Sequence, residues 1–419
     1  MATFEVKVRK LQIEPHPNAD TLSLALIDGY QSCVRKDEFV TGSLGVYLPE
    51  ASIVPDWMLE KMNLVGRLSG SQKNRIKCIR LRKEVSQGIV YPVINGMIEG
   101  EDKNYPVKEG DDVANILGVT KWEPAVPSNL TGVKTKLRGS AQTISNWDVE
   151  NVLKYNKVLE EDEEVAVEEK VHGTFVAMGY GRDIKPDHFV VHSKGLGARH
   201  VAFDLHSDSV PVRLLKKAIQ FVYTKTMRAF TKPNPRWHKK LFKSEENADN
   251  IYIKTFRSLI QPAFIKMGED NYNIVPQNIK WPTVYNANIY ILGEIYGKNV
   301  QDLHYGTTEP AFACFDIYLG LPSQGRYLDY DEKVAVCKDY GIPLVPLIYM
   351  GPYHKELVDS WTNGKETVSG KSMHMREGVV IKPVQERSHP GLGRVMLKSV
   401  SPSYLMRGEK NGIEPTEFQ

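Results

Sequence analysis

The sequence predicts an α+β protein of two regions, a small strand-built N-terminal barrel followed by a larger domain of strands flanked by helices. Three observations predict this. Short apolar runs broken by Pro, Gly, Asn and Asp fill residues 1–127. From residue 128 to 419, longer strand-type runs end on glycines and charged residues. Inside that second region, residues 205–277 carry apolar side chains at helical spacing and read as a basic helical insertion.

Composition narrows the class. A chain of 419 residues with 41% hydrophobic and 25% charged residues is that of a soluble globular protein with room for two or three domains. A net charge of +3 names no partner, so a nucleic-acid surface must come from local clustering. The four cysteines, Cys33, Cys78, Cys314 and Cys337, form no C-x-x-C pair, which speaks against a zinc ribbon and a disulfide framework. The start of the chain has no signal-type core and no run is long enough to span a membrane. A reduced, intracellular and cytoplasmic setting is expected.

In the first region, Phe4 to Ile13, Leu22 to Ile27, Leu44 to Leu48 and Arg75 to Leu81 read as strands, with one short helix over Asp56 to Met62. Several short strands with one helix predict an OB-fold. Ile13-Glu14-Pro15-His16-Pro17-Asn18-Ala19-Asp20-Thr21-Leu22 resembles the opening of the tRNA-binding OB module of some aminoacyl-tRNA synthetases. Val85-Ser86-Gln87-Gly88-Ile89 resembles its later S-x-G segment. Both stretches also read as turns that close a barrel. Lys73, Arg75 and Lys77, on one face of a strand, predict an RNA-binding surface, helped by Arg80, Arg82 and Lys83. Residues 123–128 read as a linker.

In the second region, Asp148 to Tyr155 reads as a helix capped by Asn146 or Asp148. Glu164 to Val167 and Thr174 to Met178 read as strands around the turn Lys170-Val171-His172-Gly173, where Gly173 is free to take an angle other residues avoid. Val190 to Gly195 is a strand ending in Ser-Lys-Gly. Leu214, Leu215, Ala218, Phe221 and Val222, then Phe256, Leu259, Ile260 and Phe264, recur at helical spacing. The basic run between them, from Lys216 to Lys243, is either a solvated helical face or a phosphate-gripping surface. Tyr290 to Gly297, Phe312 to Tyr318, Arg376 to Pro383 and Val395 to Val400 read as strands, and Asp331 to Tyr340 as a helix ending at Gly341.

Lys170 at a strand end is what a solvent anchor looks like; it also fits K-x-x-G, a lysine that attacks a nucleotide α-phosphate. That attack needs an unprotonated amine, whose reference pKa is about 10.4. It needs carboxylates for a divalent metal, cations for the phosphates and an aromatic face for adenine. The chain offers Lys170, then Glu294 and Glu377, then Lys398 with Lys194, and Phe315, each on its own strand.

Their order resembles the covalent nucleotidyltransferase superfamily of ligases and capping enzymes. Lys170-Val171-His172-Gly173 is similar to its first motif, and Gly293-Glu294-Ile295-Tyr296-Gly297 to the third. Phe315-Asp316-Ile317 is similar to the one that follows. Glu377-Gly378-Val379-Val380-Ile381-Lys382-Pro383 is similar to the fourth and Leu397-Lys398 to the fifth. K-x-H-G, with His172 in place of Asp, resembles the RNA ligase 2 family. The leading OB domain resembles the RNA ligase 5 branch, which seals 3′-OH/5′-phosphate breaks.

The resemblance implies a second domain of antiparallel sheets flanked by helices, and an ATP-dependent RNA ligase that works through lysyl-AMP and AMP-RNA with Mg²⁺ or Mn²⁺. It implies Lys170, Glu377, Lys398 and His172 as catalytic residues, Glu377 at the metal, Glu294 at the ribose or in the metal shell, Phe315 under adenine, and Lys194, Lys382 and Lys398 on the nucleotide. Lys194 stands where many relatives have arginine, and Val400 where some have a second lysine. Were Glu377 to face the pocket, strict alternation would turn Lys382 away, which ranks it second. The implied partner is nicked or duplexed RNA, with no membrane, and the expected state is a monomer. The rival from another class is a non-catalytic RNA-binding OB protein with a degenerate transferase core; intact Lys170, Glu294, Glu377 and Lys398 argue against it. An enzyme that adenylates an RNA end or a protein and stops there also fits.

Overall fold

The computed structural model describes residues 4–122, 134–136, 143–144, 149–181, 184, 188–203, 205, 250–269, 288–322 and 324–407. The chain forms two compact units. One comprises Met1–Ala125, Asp148–Val171 and Pro346–Gln419; the other comprises Val126–Trp147 and His172–Val345.

The N-terminal part of the first unit is a set of short antiparallel strands of OB type. Lys7–Lys10, Leu44–Leu48 and Ile89–Pro92 form one sheet, with Leu44–Leu48 central. Gln12–Pro15, Leu22–Ile27 and Tyr30–Arg35 form a second. Val6, Val8, Val46, Leu48 and Tyr91 point into one core together with Met58 and Leu59 of the helix Asp56–Lys61. Leu11 breaks the predicted first strand in two because its side chain turns into the other core, beside Ala25 and Tyr47.

The resemblance to a tRNA-binding opening lands on residues that are bonded internally. His16 is buried, with Nε2 3.3 Å from the Leu81 carbonyl oxygen, and Nδ1 accepts the Asn18 N–H. Ser86 Oγ accepts the Cys33 N–H at 2.9 Å. Gly88 holds φ +81°, and a Cβ there would stand 2.6 Å from the Leu48 carbonyl oxygen.

Among the described residues, the rest of the first unit is built on a five-stranded sheet in the order Glu150–Asn151, Leu397–Val400, Gly378–Pro383, Glu164–Lys170, Leu347–Pro352. All pairings are antiparallel except Glu150–Asn151 with Leu397–Lys398. The predicted helix over Asp148 to Tyr155 is therefore wrong in its described part. Asn151 spends its backbone on a parallel bridge to Lys398, and tight turns follow. Asn146 and Asp148 lie outside the described residues.

The second unit is built on another five-stranded antiparallel sheet, Phe189–His192, Gly173–Tyr180, Ile289–Tyr296, Ala311–Leu319, Arg326–Tyr327. One face carries a core of Val176, Met178, Ile291, Ile295, Phe312 and Ile317. Two helical segments pack there. Ile251–Glu269 is continuous helix with a π-turn over Phe256–Ile260, and it buries Phe256, Ile260 and Phe264. That part of 205–277 is core-forming rather than a solvated face; the basic run from Lys216 to Lys243 lies outside the described residues. Tyr330–Tyr340 buries Val336 and Cys337 and ends at Gly341 in the left-handed region. Among the described residues, no helix is long and apolar enough to cross a membrane.

Candidate active site

In the first unit, cross-strand register sorts the site residues. Ala166 faces Lys382, Glu168 faces Val380, and Val380 faces Lys398. Residues two apart share a face. Glu168, Lys170, Lys382 and Lys398 therefore stand on one face. The other face, with Val165, Val167, Val379, Ile381 and Leu397, makes the core beneath.

On the charged face, Lys170 Nζ donates to Glu377 Oε1. The nucleophile candidate keeps 21% of its side chain exposed while the carboxylate keeps 3%. Lys382 Nζ lies 2.7 Å from Glu168 Oε2, and both are buried. Lys398 is buried too, at 1% exposure. Lysines at such depth are rare and need anionic partners. Alternation does not turn Lys382 away from Lys170. Glu377 precedes the first paired residue, Gly378, so the parity of the strand does not apply to it. Gly378 is needed because a Cβ there would stand 2.9 Å from Val400 Cα and overlap the Ser399 carbonyl. Val400 is buried two residues beyond Lys398.

The neighbours of the Lys170–Glu377 pair anchor it from behind. Glu169 Oε2 accepts the Thr367 N–H at 2.8 Å and its hydroxyl at 2.6 Å. Arg376 Nε is 3.6 Å from the same carboxyl, and Arg376 donates to the carbonyls of Trp361 and Lys365. Burial pushes the Glu169 carboxyl above its ordinary range, against the pull of Thr367 and Arg376.

In the second unit, Gly173 opens the strand that carries Phe175. Its φ is not positive; the glycine is required because a Cβ would stand 2.9 Å from Glu294 Cγ and overlap the Ile295 carbonyl. The expectation of a special backbone angle is corrected to one of close approach. His172 is buried, with Nε2 2.8 Å from Asp302 Oδ1, and its N–H donates to the Tyr305 hydroxyl at 2.7 Å. Gln301 Nε2 donates to the Gly173 carbonyl at 2.8 Å. Sequence reasoning missed these three loop residues; an acid, an amide and a tyrosine between turns carry no local signal.

Phe175 stands opposite Glu294, which stands opposite Ala313. Tyr252 donates or accepts at 2.7 Å with the Thr174 hydroxyl, and its own pKa is pushed up to about 12 by burial, with Glu294 adding to the rise. The Phe315 ring lies 6.0 Å from that of Phe175 and is partly exposed. Lys194 opens the one-turn helix Lys194–Gly197 and is half-buried.

The structure does not give Lys73, Arg75 and Lys77 a common face. Residues 71–78 form a turn and an irregular stretch, and the strand is Ile79–Leu81 only. Lys73 is exposed at φ +57°. Arg75 is buried with its guanidinium 4.0 Å over the Trp122 ring. Lys77 Nζ donates to the Arg407 carbonyl at 2.6 Å, and burial holds its pKa down. Exposed Arg80, Arg82 and Lys83 lie on the hairpin that follows.

A family model described as RNA ligase matches residues 163–400, from the first motif through the fifth. The chain belongs to the RNA ligase family. An OB-fold domain model matches residues 5–93 of the same chain. The fold of this RNA ligase is similar to that of Naegleria gruberi RNA ligase. A variant of that protein solved with ATP and Mn is 20% identical over 96% of this chain and 98% of its own, with a TM-score of 0.63. The structure with pyrophosphate is 21% identical over 96% and 98%, with a TM-score of 0.64. A variant with AMP and Mn is 20% identical over 96% and 97%, with a TM-score of 0.63. No curated protein matches the sequence.

Proposed function

We propose that this RNA ligase uses ATP to seal a 5′-phosphate to a 3′-hydroxyl in RNA, through a lysyl-adenylate. The observation that carries the reading is the contact of Lys170 with Glu377 on a sheet face shared with buried Lys382 and Lys398. Lys170 is the most accessible of those lysines, and its nitrogen lies against the Glu377 carboxylate.

In the first step, Lys170 Nζ attacks the α-phosphorus. A P–N bond forms, the bond to the bridging oxygen breaks, and pyrophosphate leaves with the electron pair. Lys398 and Lys382 balance charge on the phosphates, where positioning and electrostatics supply most of the catalysis. In the second step, a 5′-phosphate oxygen of the RNA displaces Lys170 and takes the AMP. In the third, a 3′-hydroxyl attacks that phosphate and AMP departs. Phe315 is assigned to adenine, His172 to holding the turn after the nucleophile, and Lys194 to phosphate contact.

A divalent metal suits carboxylate donors, since hard cations take them; Glu377 is assigned to it in the first unit, and Glu294, in the second, to the ribose or a metal. Glu377 fits the role because it is buried against a lysine whose departure into a covalent bond would leave a carboxylate needing a new cation. The metal would supply charge neutralisation for the departing pyrophosphate. Solved structures of similar fold that contain ATP and Mn support the use of ATP with a divalent metal. In the OB region, RNA contact is assigned to exposed Lys73, Arg80, Arg82 and Lys83, since Arg75 and Lys77 are engaged inside the fold.

The test is incubation with α-labelled ATP and Mg²⁺, beside a Lys170→Ala variant. Label that survives denaturation on the unaltered chain alone is expected, followed by joining of a nicked duplex. Folded protein free of bound AMP that takes no label would sink the reading in favour of RNA binding without catalysis.

A further inference from the structure

Phe315 stands where the pairing of Ala311–Leu319 with Ile289–Tyr296 slips. Asp316 faces Leu292 and Cys314 faces Gly293, so Phe315 is the extra residue of a β-bulge. A bulge re-aims a side chain and takes a peptide out of the regular ladder. Phe312, Cys314 and Ile317 enter the core on one face. Phe315 turns to the other face, with Phe175, Tyr290 and Leu292.

A peptide displaced from the ladder inside a protein needs a partner. Lys333 supplies one: its Nζ donates to the Phe315 carbonyl at 3.2 Å. Lys333 is 2% exposed, and its nitrogen lies 4.8 Å from the Tyr330 ring centroid. Lysine stems normally carry the ammonium out to water; this one is sent inward from the helix Tyr330–Tyr340. The helix start is itself fixed. Glu332 accepts the Asp329 N–H at 3.0 Å and two bonds from Arg326, at 2.6 and 2.8 Å.

We propose that Lys333 is a positioning residue: its buried ammonium holds the bulged carbonyl of Phe315 and so sets the ring on which the adenine of ATP is received. This rests on the assignment of Phe315 to adenine. It makes nucleotide preference depend on a side chain that lies behind the strand and touches no substrate.

The test separates binding from chemistry. In a Lys170→Ala background, calorimetric titrations with ATP and with GTP compare Lys333 with Lys333→Met, Lys333→Gln and Lys333→Arg. Lys333→Met is expected to weaken ATP by about tenfold and to narrow the preference over GTP, as loss of a buried hydrogen bond to a charged donor would. Lys333→Arg, which keeps a cationic donor, should recover most of both. With Lys170 intact, KM for ATP should rise while labelling at saturating ATP changes within about twofold. Lys333→Gln, whose uncharged amide falls one bond short of the lysine nitrogen, should lose affinity as Lys333→Met does and replaces it if the latter does not fold. Unchanged ATP affinity and preference in either folded variant overturns the proposal. Affinity that depends on Lys333 without any covalent label on the unaltered chain supports this inference and overturns the ligase chemistry. Label together with Lys333-independent affinity overturns this inference alone.

Discussion

His192 shows how one buried ring ties pH to stability. Its Nε2 accepts the Ile144 N–H at 3.3 Å and its Nδ1 lies 3.1 Å from the Ser193 carbonyl oxygen, a pattern only the neutral Nδ1–H tautomer satisfies. Burial takes its pKa down to about 4. A histidine depressed in the folded state contributes stability that is present above its unfolded value, near 6.5, and lost as pH falls toward the folded one. Roughly 3 kcal/mol should disappear between those limits, measured by urea melts across that range. His192→Gln should flatten the slope. Glu169 runs the other way. Its raised pKa means that its contribution is full below the ordinary carboxylate range and is lost as pH rises through the folded value. Glu169→Gln, which still accepts from Thr367, should remove that component, seen as a pH-dependent difference in melting between the two proteins.

At the scale of the element, the two motif glycines are contact points between strands. Gly173→Ala would drive a methyl into the Ile295 carbonyl and to 2.9 Å from Glu294 Cγ. Gly378→Ala would do the same against Ser399 and Val400. Each should cost about 1–3 kcal/mol by overpacking, read from denaturant midpoints, and each should depress covalent labelling. These contacts also explain what the sequence could and could not tell. Alternation in Glu164–Lys170, Ile289–Tyr296 and Ala311–Leu319 is a local property, so those strands and the motif residues on them were legible. The reason for Gly173 lies on a strand more than a hundred residues away, and no local reading reaches it. Glu150–Asn151 is a strand only because Leu397–Lys398 runs beside it. Arg75 looked like a surface cation because nothing near it announces Trp122. Lys333 reads as one more charged residue on an amphipathic helix until the bulge it supports is known.

For the whole molecule, the OB region and the first five-stranded sheet form one compact unit despite the chain between them. Glu5 lies between Lys7, at 2.6 Å, and Lys154, at 2.8 Å. Lys77 reaches the Arg407 carbonyl, and Gly29 approaches Leu153 so closely that a Cβ would stand 2.8 Å from its carbonyl carbon. Hydrogen exchange should therefore find the slow amides of residues 4–122 opening together with those of 346–407, not with those of 172–345. Independent protection of 4–122 would contradict a shared unit. The same division has a topological side. The chain leaves the first unit after Val171 and re-enters it at Pro346, and the Glu169 N–H donates to the Pro346 carbonyl at 2.8 Å. Glu164–Lys170 and Leu347–Pro352 are thus two antiparallel neighbours, as the arms of a β-hairpin are, with residues 172–345 in place of the turn. A gene that joined residue 171 to residue 346 through a few glycines would restore that turn, and Lys170 would then sit at the tip of a hairpin.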